Sequence, residues 1–179
     1  STGRQDALKV LMDRYMPMVS RTSFRILCDR KDSEAVTREV FVHVWNYSEK
    51  FDGSMSLSLW LLHLASRYSR LRVVRRRLMF LFGQRPDLFV TTAPKAADYD
   101  DYLTKQAWEL FCRASLKLST RQRIVFTLCV LEQLPDPDVL LITGVSLRCL
   151  TRLRCSAESR IRKELRRHGH PDDYERYIA

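Results

Sequence analysis

Arginine is the residue whose number and spacing could do chemistry in this chain. Arg67, Arg70, Arg72, Arg75, Arg76 and Arg77 fall in one short stretch that holds no acid. A second stretch runs from Arg148 to Arg167. It sets eight bases (Arg148, Arg152, Arg154, Arg160, Arg162, Lys163, Arg166 and Arg167) against Glu158 and Glu164. The formal net charge is +10. The two stretches together exceed it, so the remainder is slightly acidic. Two separate basic clusters point to two contacts with a polyanion. The planar guanidinium fork suits phosphates and guanine edges. The competing explanation is a solvated basic face, part of which would complement a helix C-terminus.

Other chemistries are poorly supplied. The five glycines (Gly3, Gly53, Gly83, Gly144 and Gly169) stand singly, so there is no phosphate-cradling loop. Cys28, Cys112, Cys129, Cys149 and Cys155 form no Cys-x-x-Cys pair. With His168 and His170 they match no common zinc spacing, so no metal and no cofactor is expected. The acids form no carboxylate–histidine constellation, and the chain is not expected to be an enzyme. Unpaired cysteines predict reduced thiols and a cytoplasmic setting. No apolar run approaches the ~20 residues that span a bilayer, and the start of the chain shows no secretory leader.

The elements that must position the arginines read as helices throughout. The chain has 179 residues, with only five Gly and six Pro. That is room for two small domains and too few turn residues for many strands. Leu8, Leu11, Tyr15, Val19 and Ile26 share a face of a first helix. Asp32-Ser33-Glu34 are expected to cap and open a second, where Val36, Val40 and Val44 recur every fourth residue. A third follows Phe51-Asp52-Gly53-Ser54, with Leu57, Trp60, Leu61, Leu64, Ala65, Tyr68 and Leu71 expected inward. The apolar block Leu78-Met79-Phe80-Leu81-Phe82 is expected to pack against a domain. Its alternative, a membrane-surface contact, is weaker because five residues anchor poorly.

Residues 79–102 read as a linker ending in Asp98-Tyr99-Asp100-Asp101. A second helical unit begins near Leu103. Ser119 and Gln122 have capping-box spacing before Ile124, Leu128 and Leu131. Asp136 is expected to cap a short helix that starts with Pro137 and ends at Gly144. Ser146 can cap the next, with Leu147, Leu150, Leu153, Ala157, Ile161 and Leu165 on one side. Arg148, Arg152, Ser159 and Arg166 lie opposite. A short helix, a glycine turn and a longer basic helix follow the order of a helix-turn-helix.

At this point the chain resembles the extracytoplasmic-function (ECF) group of bacterial RNA polymerase sigma factors. The run Arg30-Lys31-Asp32-Ser33-Glu34-Ala35-Val36-Thr37-Arg38-Glu39-Val40-Phe41-Val42-His43-Val44-Trp45 is similar to that family's polymerase-binding helix. Leu118-Ser119-Thr120-Arg121-Gln122-Arg123-Ile124-Val125-Phe126 is similar to the opening of its second domain. The resemblance implies an all-α fold of two domains: 1–78 for core polymerase and the minus-ten element, and 103–179 carrying the helix-turn-helix. It implies core RNA polymerase and promoter DNA as partners, with promoter melting as the outcome and an anti-sigma factor as a further partner. Asp32, Glu34 and Glu39 become exposed polymerase contacts, and Trp45 a core residue. Ser54, Ser56 and Ser58 would line a pocket for a flipped base, while Arg67, Arg70, Arg75, Arg76 and Arg77 track the strand. Ser146, Arg148, Thr151 and Arg152 would face duplex DNA.

The chain also departs from the family pattern. Leu140 stands where a small Ala is usual, Arg67 and Leu71 where an Asn and an Asp are usual, and the recognition helix reads Cys149-Leu150-Thr151-Arg152-Leu153-Arg154. These departures support an alternative: a sigma-like factor with weak promoter reading, placed on DNA by another, guided DNA-binding protein. A helix-turn-helix repressor is a further reading.

Overall fold

A computed structural model describes residues 2–82 and 99–168, with side chains over 5–82 and 108–167. Every regular element among the described residues is helical. The order is α1 (Thr2–Leu27), α2 (Arg30–Tyr47), a 3-10 turn (Ser48–Lys50), α3 (Leu57–Leu81), α4 (Tyr99–Leu116), α5 (Thr120–Phe126), a π-helical segment (Thr127–Leu131), α6 (Asp136–Thr143) and α7 (Leu147–His168). The chain divides into two compact units, Ser1–Leu88 with Leu141–Gly144, and Phe89–Leu140 with Val145–Ala179. The expected all-α class holds. α3 runs three residues past the expected boundary at 78, and α4 begins at Tyr99. The rest of the expected linker, with Asp98, lies outside the described residues.

In the first unit, α1, α2 and α3 pack mutually. Val36, Val40 and Val44 sit in the core, as their spacing predicts, with Val19, Leu27, Phe41, Leu61, Leu64 and Ala65. Burying a leucine such as Leu61 stabilises by roughly 2 kcal/mol, more than an exposed ion pair. Core packing therefore carries the unit, and polar contacts set its register.

The turn from α1 to α2 is two residues long. Cys28 takes a left-handed φ of 51° and its amide still bonds the Phe24 carbonyl at 2.8 Å. Asp29, extended at φ −145°, then caps α2 by accepting from the Asp32 amide at 2.8 Å. The helix thus starts before Asp32-Ser33-Glu34, and Asp29 is the cap. Its other carboxylate oxygen accepts from Arg76 Nη2 at 3.2 Å.

Leu71 differs from expectation: it points outward. The inward face of α3 is Leu61, Leu62, Leu64, Ala65, Ser66, Ser69 and Val73. The terminal block Leu78 to Phe82 is exposed too, and continues the helix rather than packing against a domain.

The second unit is held by α7 lying on α5 and α4. Phe111 stacks between Trp108 and Phe126, with centroids 5.0 and 6.0 Å away. The capping box of α5 forms as spaced: Ser119 Oγ accepts from the Gln122 amide and Gln122 Oε1 from the Ser119 amide. Helix α5 loosens into the π segment, where the Glu132 amide bonds the Thr127 carbonyl at 2.8 Å. Leu150, Ala157, Ile161 and Leu165 of α7 are buried, whereas Leu147 is exposed. The Pro135 carbonyl opens α6 by accepting from the amides of Asp138 and Val139. Asp136 begins the helix instead of preceding it, and its carboxylate takes Arg154 Nη1 at 2.8 Å.

Asn caps a helix as well as Asp but has no charge for Arg76. Asp29→Ala should lower unfolding free energy in urea by about 2–3 kcal/mol, and Asp29→Asn by only about 1. Equal losses would mean the cap is not what Asp29 contributes.

Candidate nucleic-acid interface

The six arginines of α3 separate into two sets. Arg72 and Arg76, one turn apart, face α2. Arg72 Nε donates to Asp32 at 2.9 Å and its Nη1 reaches Glu39 at 3.4 Å. Arg76 bridges Asp29 and Asp32, each at 3.2 Å. Arg67, Arg70, Arg75 and Arg77 are exposed. Arg76 thus differs from the expected strand-tracking set: its guanidinium is held by Asp29 and Asp32.

The same cluster corrects the expected acidic face of α2. The Asp32 side chain keeps only 20% of its surface, with both oxygens engaged. Glu39 is half-exposed and shares Arg72. Glu34 is exposed but pairs with Arg30 one turn before it, at 2.9 Å. What α2 presents outward is an apolar groove of about 560 Å³ against α1. Met12, Met16, Phe41, Val42 and Trp45 line it, with Arg38 at its edge. Trp45 is therefore a half-buried groove residue rather than a core one.

The loop before α3 is built from its own polar groups. Gly53 takes φ 73°, and Asp52 Oδ1 accepts from the Ser54 amide at 2.9 Å. That bond to the charged form holds the Asp52 carboxyl below its usual range. Ser56 caps α3 by accepting from the Leu59 amide at 3.3 Å, and its hydroxyl lies 3.0 Å from that of Ser58. Ser54 and Ser56 are exposed and Ser58 is half-buried. The hydroxyls of Ser56 and Ser58 are thus brought together, while Ser54 serves the turn and Ser56 the cap.

Beside them stands an aromatic group that sequence spacing did not single out. His43 lies 4.8 Å from Tyr47 and 6.2 Å from Trp60 by ring centroids, and its Nδ1 is 3.0 Å from the Tyr68 hydroxyl. Phe51 tilts against Trp60 at 5.1 Å. Lys50 sits over the Tyr47 ring at 4.4 Å. Flat rings with cations at the rim are what an unstacked base and its phosphate need. Burial, then Arg67, then Lys50 push the His43 pKa down, so the imidazole stays neutral more readily than in the unfolded chain.

Gly144 takes φ 66° in the turn between α6 and α7. Ser146 caps α7 through the Cys149 amide at 3.4 Å, as expected. Arg148, Thr151 and Arg152 are exposed, although the Thr151 hydroxyl donates back to the Leu147 carbonyl at 3.1 Å. Arg154 is spoken for by Asp136. Arg160, Arg162, Lys163 and Arg166 continue the exposed basic side, and Arg167 pairs with Glu164 at 3.3 Å.

Among the described residues, no cluster could hold a metal ion. No helix there is long and apolar enough to cross a membrane. All five cysteines are free thiols, and burial pushes the Cys129 thiol pKa up.

No protein-family model matches the chain, and no curated protein matches it. Among solved structures it is similar to the sigma factor RpoE from Bartonella quintana, crystallised with the anti-sigma factor NepR. The TM-score is 0.69 at 18% identity, over 88% of this chain and 96% of that one. At such identity the likeness is one of fold. It extends along nearly the whole chain, in accord with the two helical units.

The lowered His43 pKa has a consequence for stability. Below the ordinary value of 6.5 the unfolded chain takes up a proton that the fold resists. The first unit should hold its full contribution from His43 above that pH and lose it as pH falls. Urea midpoints measured from about pH 7.5 to 5.5 should drop, and His43→Gln should flatten that part of the slope.

Proposed function

We propose that the chain is a sigma-type transcription initiation factor of the ECF kind. In this reading it binds core RNA polymerase, recognises promoter DNA and helps to melt it, while the polymerase does the chemistry. The observation that carries the reading is the division of the α3 arginines on a fold shared with a sigma factor. Two are consumed in holding α2 to α3, and four are left outward in a stretch without acids. Nothing in the core packing calls for those four. They suit a phosphate backbone, and the ring group around His43 and Tyr47 suits the bases of a separated strand.

The first unit, on this reading, engages the polymerase through the groove between α1 and α2 and through Glu34. The second contacts duplex DNA through Ser146, Arg148, Thr151 and Arg152. The solved neighbour was crystallised with an anti-sigma factor. A comparable antagonist is proposed for this chain.

A second reading is favoured by Leu71, which is exposed among those arginines. An apolar side chain there cannot read a base edge by hydrogen bonding. Promoter sequence would then matter less, and another DNA-binding protein would place the factor. Transcription from a random promoter library separates the two. A sharp two-element consensus without helper proteins would defeat the second.

The main test uses the chain with core polymerase and a partly melted promoter. The chain should co-purify with polymerase. Replacing Arg67, Arg70, Arg75 and Arg77 by Ala should leave that binding intact and weaken DNA binding by the complex. The log–log salt slope should fall by about three units, at ~0.7 per single-strand phosphate. Arg72→Ala with Arg76→Ala should instead lower the thermal midpoint. Absence of co-purification, with tight binding to palindromic duplex, would replace the proposal with a repressor.

A further inference from the structure

The second half of α3 also carries an apolar row, set between arginines that the reading above turns toward a DNA strand. Leu71, Val74, Leu78 and Leu81 are spaced by three, four and three residues. They are 49%, 48%, 49% and 76% exposed. In heptad terms they are a, d, a and d of one seam, about 15 Å long at 1.5 Å per residue. The positions that flank such a seam, e and g, hold Arg70, Arg75 and Arg77, with Phe82 at the last e, all exposed. The inward positions hold Ser69, Arg72, Val73 and Arg76, which are committed to the unit's own packing and ion pairs. The helix therefore has two faces: an inner one that packs, and an outer one with no partner among the described residues.

We propose that this outer face docks an amphipathic helix of another protein, with leucine-like residues in its seam and acidic residues on its flanks. The three–four spacing selects a helix over an extended strand, which would need a period of two. The arginine flanks select acid. They also oppose a second copy of this chain, because a parallel pairing would set Arg70 against Arg75 and an antiparallel one would bring like basic flanks together. No acid lies anywhere between Arg67 and Phe82 to soften that repulsion.

The probe is a fluorescent three-heptad peptide with Leu at a and d and Glu at e and g, titrated with the full chain. A second peptide carries Lys in place of Glu. The Glu peptide should bind, and the Lys peptide should bind at least about tenfold more weakly. Arg70→Glu, Arg75→Glu and Arg77→Glu together should reverse that order. Val74→Asp with Leu78→Asp, both at exposed sites, should abolish binding while circular dichroism stays unchanged. No binding of either peptide, or equal binding of both, would overturn the proposal. So would self-association that Val74→Asp with Leu78→Asp removes. Binding to phosphatidylserine vesicles without any peptide preference would assign the face to a lipid surface instead. The readout needs neither polymerase nor DNA, so its failure is distinguishable from failure of the transcription reading.

Discussion

Two carboxylates at the start of α2 and two guanidiniums on α3 hold the first unit in its register. Asp29 uses one oxygen to cap α2 and the other to bind Arg76. Asp32 takes Arg72 on one oxygen and Arg76 on the other. The cluster is half-buried, so each charge needs the others more than an exposed pair would. It also fixes the rotation of α3. With Arg72 and Arg76 turned to α2, Arg67, Arg70, Arg75 and Arg77 must face outward, and so must Leu71, Val74 and Leu78. The chemistry available on that helix follows from this one constraint.

The second unit repeats the logic with a single pair. Arg154 falls beside the apolar side of α7 and is held by Asp136 at the start of α6. Its charge is thereby removed from the outward row, which keeps Arg148 and Arg152. In both units, arginines that look equivalent along the chain divide into those that position helices and those that remain available.

What could be read from the residues was local. Val36, Val40 and Val44 announce the core face of α2, and Ser119 with Gln122 announces a capping box, because each step in both signals spans about one helical turn. The partners of Arg72 and Arg76 lie some forty residues away, and no spacing rule reaches that far. Leu71 lies outward for a different reason. Helix α3 is apolar on two faces in succession: inward through Ala65 and Val73, then outward from Leu71. A periodicity argument assigns both runs to the same side. The grouping of His43, Tyr47, Phe51, Trp60 and Tyr68 is not legible in their spacing, because three separate elements supply it. Ser54, Ser56 and Ser58 alternate within one short stretch of chain, and Ser56 is the cap of α3.

The last turn of α3 is apolar on every side, with Met79, Phe80, Leu81 and Phe82 all open to solvent. Bare patches of this kind promote clumping and recognition by chaperones and proteases. A chain synthesised in excess of whatever shields that turn would be withdrawn from the soluble pool. Cellular dosage of this protein would then depend on how that turn is shielded as well as on its own rate of synthesis.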